Sequence, residues 1–244
     1  MKTIVTVLYG EKYNSDDVHY IYEKTKCYNH VCIVDDENSK YLNKNIKQIR
    51  IEEPEGHWEK IKIFKNNWQG DCLYLDLDVI IQGSLDKLFD HCSKPTICYC
   101  YWKAPWDTSE NKVYNSPKRY KEDDGSDTVP WTYKWLGSWN SSVMAWNGND
   151  ARYIYNYFED NDQYFMTKYC GDDRFLYHEK LFDNVFPKGL MYSFVAGVDF
   201  DTDVSPRGYK IKPEYPIVLM NGSISKDELR KKYYDALSLH EMGK

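Results

Sequence analysis

The 244-residue chain has no Cys-x-x-Cys pair and no histidines grouped around its cysteines. It also has no apolar run of about 18 residues, the length a membrane-spanning helix needs. Cys27, Cys32, Cys72, Cys92, Cys98, Cys100 and Cys170 make an odd set of seven. That set argues against a zinc ribbon or a disulfide framework. Cys32, Cys72, Cys98 and Cys100 fall inside apolar runs, where cysteine acts as a small buried hydrophobe. The expectation is reduced thiols in a reducing, cytoplasmic compartment. The sequence begins directly on a strand-like run, with no charged leader and apolar core of a signal peptide.

Long basic runs are missing as well, and the formal net charge is -6. This weighs against an extended nucleic-acid footprint, so no nucleic acid is expected among the partners. A polyanionic ligand would have to be held locally, by a metal or a few cations. The Gly-x-Ser-x-Gly, His-Glu-x-x-His and P-loop patterns are absent. Internal repeats and low-complexity tracts are absent too. His57, His91 and His178 have no acid or Cys at ligand spacing and read as surface or core residues.

Aromatic residues are abundant at 16%, with 23 Tyr and 8 Trp. Their flat faces with polar handles suit sugar and base stacking, though a compositional habit explains them equally well. The first half alternates strand and helix patterns. Residues 3–9 form a β-branched apolar run ended by Gly10. A helix follows from an N-cap at Ser15, with Val18, Ile21 and Tyr22 on one face. Residues 30–34 and 46–51 are the second and third strands, residues 57–67 a helix, and residues 72–77 a nearly continuous apolar strand. This order predicts an α/β fold with a mostly parallel central sheet flanked by helices.

Residues 1–101 would form the nucleotide-binding half of a single domain spanning 1–244, and residues 132–244 the acceptor and sugar half. Between them, residues 103–131 break the rhythm and read as a partly mobile loop near Trp102, Trp106, Trp131 and Trp135. Further strands are expected at 139–146 and 216–220, helices at 150–160 and 172–180, and a final amphipathic helix at 225–239, with Leu229, Tyr233, Ala236 and Leu237 on one side, packed against the central sheet.

In Leu73-Tyr74-Leu75-Asp76-Leu77-Asp78-Val79-Ile80 two acids interrupt an apolar strand. Unpaired buried carboxylates cost several kcal/mol or more, so they need a partner. Alternation puts Asp76 and Asp78 on the same side of an extended chain. Two carboxylates converging in this way make a hard oxygen site suited to Mn²⁺ or Mg²⁺. Such an ion can grip a diphosphate and stabilise charge on a departing nucleoside diphosphate. The plainer reading is a pair of acids that cap backbone or pair with lysine.

At this element the chain resembles the GT-A glycosyltransferases, in particular the glycogenin-like glycosyltransferase family 8 and its bacterial and viral relatives. The resemblance rests on residues 74–79 followed by Gly83-Ser84-Leu85. It implies that Asp76 and Asp78, with Leu77 between them, hold Mn²⁺ on a UDP-sugar donor. It also implies that Lys60 contacts the donor and an acid of the pair. Leu8, Tyr9 and Gly10 then match the nucleoside-binding loop, and Asp35 the uracil-facing segment. Asn140 and Ser141 match the family's asparagine-serine strand lining the sugar pocket. Gly171-Asp172-Asp173 resembles the family's glycine-aspartate-glutamine element beside the reacting carbon, with Asp173 in place of Gln. Asp172 is then the acid that stabilises charge on the sugar or binds its hydroxyls, and it also reads as a helix N-cap.

The family's third metal ligand, a late His before a glycine, has no counterpart. Asn221 stands there before Gly222, and an amide oxygen is a weaker ligand. Lys226 is expected to reach a phosphate. The implied reaction is metal-dependent transfer from a UDP-sugar to a carbohydrate or other hydroxyl acceptor, with retention of configuration. Two alternatives stay open. One is a haloacid-dehalogenase-type phosphatase with Asp76 as nucleophile; the other is an inactive nucleotide-sugar-binding module.

Overall fold

The computed structural model of the chain describes residues 1–103, 139–198, 208–221 and 225–242. The loop expected at 103–131, with Trp106, Trp131 and Trp135, therefore lies almost wholly outside the described residues, as does Gly222.

Four segments form the parallel half of the main sheet. They are β1 (Lys2–Leu8), β2 (Asn29–Asp35), β3 (Lys47–Ile51) and β4 (Asp71–Leu75). Of these, β1, β2 and β4 are mostly apolar and β3 is more polar. β1 is central, with β2 on one side and β4 on the other, all parallel. β3 adds to the outer side of β2. The chain thus winds outward from β1 to β3 and returns to β4 on the opposite flank. In open α/β sheets such a reversal of strand order is where ligands bind, here beyond the carboxyl ends of β1 and β4.

β5 (Ile80–Ile81) leaves the main sheet, and β6 (Thr96–Tyr99) and β7 (Trp139–Asn147) extend it. β7 runs antiparallel between β4 and β6, and β8 (Asn184–Val185) pairs parallel with β6. Among the described residues the order is β3-β2-β1-β4-β7-β6-β8. The sheet is mostly parallel, as expected, with an antiparallel insertion. A smaller sheet joins β5 to β10 (Ile217–Leu219) and β9 (Met191–Ser193).

Alternation along the strands sends side chains to two apolar layers. In β2, Cys32 and Val34 enter one layer while Val31 and Ile33 enter the other. The first layer takes Val18 and Ile21 from α1 (Ser15–Lys24); the second takes Trp58, Ile61, Phe158 and Phe175. Cys32, Cys72, Cys98 and Cys100 are fully buried, as their apolar runs predict.

Several boundaries differ from the sequence reading. α1 is capped by Asn14, not Ser15. The Asn14 side chain accepts from the Asp16 N–H, and Asp17 accepts from the Asn14 N–H, a reciprocal box. The helix expected at 57–67 is a 3-10 turn (Gly56–Trp58), one turn of α3 (Glu59–Lys62) and a second 3-10 turn (Ile63–Lys65). It stops because the Trp68 indole and the Asn66 amide take the Ile63 carbonyl, which a continuing helix would give to residue 67. β4 ends at Leu75, so Asp76, Leu77 and Asp78 form a turn rather than strand.

The later helices are α4 (Asp86–Phe89), α5 (Arg152–Glu159), α6 (Asp162–Lys168), α7 (Asp172–His178) and α8 (Lys226–Met242). α8 was expected to pack on the central sheet. Its Leu229 and Tyr233 instead enter a third cluster with Ile80, Tyr192 and Val218 of the small sheet and the adjoining Phe194 and Met220. No helix among the described residues is long and apolar enough to cross a membrane.

Candidate active site at the carboxyl ends of β1 and β4

The turn after β4 is built around a buried ion pair. Lys60, on the single turn of α3, places Nζ 2.8 Å from Oδ2 of Asp76 and 3.9 Å from Oδ2 of Asp172. The same ammonium donates to Oγ of Ser141 at 3.2 Å. Tyr74 Oη donates to the other Asp76 oxygen at 2.6 Å. The Lys60 and Asp76 side chains are only 18% and 15% exposed, so their interaction is weakly screened.

β7 brings its first residues here because it runs antiparallel to β4, with Val143 opposite Leu75. The next step of that register is the Asp76 N–H donating to the Ser142 carbonyl at 2.9 Å. Asn140 Oδ1 accepts from the Ser142 N–H at 3.0 Å near the start of the strand. Asp172 opens α7; the N-cap position belongs to Gly171, and no side chain caps there. The N-cap reading of Asp172 is therefore corrected. Its carboxylate turns to the cluster instead, with one oxygen buried and lacking a hydrogen-bond partner.

Electrostatics follow from this packing. Burial opposes the Lys60 charge, but Asp172 and Asp76 more than offset it and hold its pKa above the ordinary value. Burial likewise opposes ionisation of Asp76, and Lys60 overrides it, so its pKa is depressed. Asp78 differs: burial and then the neighbouring Asp76 push its pKa up, against a hydrogen bond from Tyr13 Oη at 2.7 Å. Asp172 is also pushed up, by burial and the repulsion of Asp173 and Asp76 against the pull of Lys60.

The remaining expected residues divide. Tyr9 is half-buried beside this cluster, and burial raises its pKa while Lys60 opposes. Gly10, at φ +61, turns the chain where a side chain would be strained, and its N–H donates to Asp35 Oδ2 at 2.8 Å. Asp35 also caps the short α2 (Asp36–Ser39) through Asn38. Leu8 and Leu77 are buried in the core, so only their backbones can face a ligand. Asp173 lies 3.9 Å from Arg174. Lys226 is engaged with Asp17 at 2.5 Å, its ammonium 4.9 Å from the centre of the Tyr13 ring. Asn221 Oδ1 accepts from Ser193 Oγ at 2.5 Å.

Sequence reasoning missed Tyr13, Tyr74, Asp17 and Arg230. Tyr74 had a signal, since it stands two residues before Asp76. Arg230 had one too, four residues after Lys226 on a helix. Nothing local marks Tyr13, which reaches Asp78 across 65 residues of sequence.

The architecture has known counterparts among solved structures. A galactosyltransferase, LgtC, solved in complex with donor and acceptor sugar analogs, superposes with a TM-score of 0.57 at 13% identity, covering 96% of this chain and 95% of that one. The fold is that of the GT-A glycosyltransferases. Mouse xyloside xylosyltransferase 1 in its apo form gives 0.52 at 12% identity, over 91% of this chain and 98% of that one. The apo glycosyltransferase GlyE of Streptococcus pneumoniae gives 0.53 at 12%, over 95% of this chain and 60% of the other. No family profile and no curated protein matches the sequence.

The donor set fits a hard divalent cation. Asp76 and Asp78 bring two carboxylates onto one turn, and burial together with the neighbouring Asp76 charge raises the pKa of Asp78, a cost that a cation would relieve. Among the described residues, no group of three or more His, Cys, Asp or Glu forms a ligand set. A cation here would take its other ligands from amide, water or diphosphate oxygens.

Proposed function

We propose that the chain is a glycosyltransferase that moves a sugar from a UDP-sugar to a hydroxyl of a carbohydrate or other acceptor, with Mn²⁺ or Mg²⁺ held by Asp76 and Asp78. The observation that carries this reading is the buried Lys60–Asp76–Asp172 cluster beside Asp78, just beyond the carboxyl end of β4, where the strand order reverses. The cation would supply charge stabilisation for the departing diphosphate. Lys60 keeps its proton at Nζ and orients Asp76 and Asp172 from one point. Asp172, with an unsatisfied oxygen, is the acceptor for a sugar hydroxyl or the counter-charge to a developing oxocarbenium ion. Ser141 and Asn140 line the sugar side; Tyr9, Gly10 and Asp35 form the edge toward the nucleoside. Asn221 is the amide ligand in this reading, and Lys226 reaches the phosphates after leaving Asp17. Transfer proceeds with retention, which product NMR checks.

The test is a panel of nucleotide-sugars with Mn²⁺, reading released nucleotide with and without acceptor. Release from a UDP-sugar that stops with EDTA supports the assignment. UDP binding without release from any donor would favour an inactive binding module. A phosphatase with Asp76 as nucleophile would release phosphate from p-nitrophenyl phosphate. Its Asp-x-Asp strand normally opens the domain, whereas three strands precede β4 here.

A further inference from the structure

The first half of α8 touches the Asp76–Leu77–Asp78 turn and the segment that follows it. Near its start, the Arg230 guanidinium donates through Nη2 to the Leu77 carbonyl at 2.8 Å, the residue between the two aspartates. The other arm, Nη1, donates to Asp17 Oδ1. Asp17 is 3% exposed, is fixed by the Asn14 N–H, and also accepts Lys226. Arg230 further lies 6.0 Å from the centre of the Tyr20 ring, and Tyr20 Oη accepts from the Ile81 N–H. One turn on, Tyr233 Oη donates to Gln82 Oε1 at 2.7 Å. The stretch from Leu77 to Gln82 is therefore bracketed by one helix.

We propose that Arg230 is a positioning residue for the Asp76–Leu77–Asp78 turn: held in place by Asp17, it fixes the central carbonyl so that both carboxylates face one point. The assignment rests on the metal-site reading above. Each carboxylate already has its own tether, Lys60 and Tyr74 on Asp76 and Tyr13 on Asp78. Those tethers hold side chains, while Arg230 holds the backbone that sets the angle between them. A planar guanidinium can donate to two acceptors at once; an ammonium at the same position cannot reproduce that fork.

The experiment titrates Mn²⁺ into the full-length chain by calorimetry at saturating UDP, alongside UDP binding in EDTA and thermal unfolding. Arg230→Met and Arg230→Lys should each weaken Mn²⁺ by roughly 10–100-fold, the usual effect of losing a group that orients a ligand. UDP binding in EDTA should be unchanged, and Lys232→Met, an exposed site on the same helix, should match the unaltered chain. A purely structural role would lower the unfolding temperature without singling out the metal. Arg230→Lys keeps a cation against Asp17 and decides the matter if Arg230→Met does not fold. A folded Arg230→Lys with undiminished Mn²⁺ affinity overturns the role of Arg230 alone. An unaltered chain that takes up no Mn²⁺ with UDP overturns the metal-site reading and Arg230 with it.

Discussion

Lys60→Met is the substitution with the largest predicted cost. It keeps the length of the side chain and removes a cation that faces both Asp76 and Asp172. Breaking a buried ion pair from one side costs about 3–5 kcal/mol, because the abandoned charge stays out of water. The residual exposure of this pair, 18% and 15%, points to the lower end, about 3 kcal/mol. For a chain of this size that is a drop of about 6–12 °C in unfolding temperature.

The loss should depend on pH, with a sign fixed by Asp76. In the unaltered chain its folded pKa is depressed, so its contribution is present above the unfolded carboxylate value and disappears as pH falls through the folded one. In Lys60→Met, burial, the largest influence on Asp76, should outweigh the remaining hydrogen bonds, such as that from Tyr74, and reverse the shift. The stability gap between the two proteins should therefore be wide near pH 7.5 and narrow toward pH 4. Calorimetric unfolding in EDTA at both pH values measures it. Adding Asp76→Asn to Lys60→Met should recover part of the loss. An unfolding temperature within about 2 °C of the unaltered chain at pH 7.5, or a gap equal at both pH values, would refute the argument.

Other outcomes follow from the same electrostatics. Asp78→Asn removes a carboxylate whose ionisation the fold opposes, so it should raise the unfolding temperature in EDTA by about 2–4 °C while abolishing Mn²⁺-dependent UDP binding; scanning calorimetry and titration check the two halves. Asp17 has a depressed pKa because Lys226, the Asn14 N–H and Arg230 outweigh its burial. Its hold on α8 is thus lost as pH falls through the folded value, and hydrogen exchange at amides 226–242 should rise in acid before that of β1 and β4. His30 is buried with both ring nitrogens unpartnered, and burial lowers its pKa to about 4. The unfolded chain therefore binds a proton that the folded chain refuses between about pH 6.5 and 4. His30→Leu should remove an acid sensitivity on the order of 3 kcal/mol, seen as a flatter plot of urea midpoint against pH.

The parallel half of the sheet was legible because β1, β2 and β4 are covered on both faces, so their apolar runs are uninterrupted. The grouping of Lys60, Asp76, Ser141 and Asp172 was legible only through resemblance. These residues come from four segments, and no local period links them. The reason first given for the aspartates was wrong in detail. Strand alternation was expected to align them, whereas the strand stops at Leu75 and both acids lie on the turn that follows. The broken helix around Lys60 escaped notice because its apolar spacing is helical, and the Trp68 indole that ends it acts from outside the pattern. α8 read correctly as amphipathic, yet amphipathicity does not say which sheet receives it.

The bracket formed by α8 has a consequence for how the molecule comes into being. Arg230 follows Leu77 by 153 residues, so both carboxylates leave the ribosome long before the side chain that braces the turn between them. A contact so distant in sequence closes late, after the loop-closure entropy has been met. A nascent chain halted before α8 owns the acids but not the arginine that holds the turn between them; on the proposed metal-site reading, competence for cation capture would arrive with the last helix to be made among those described.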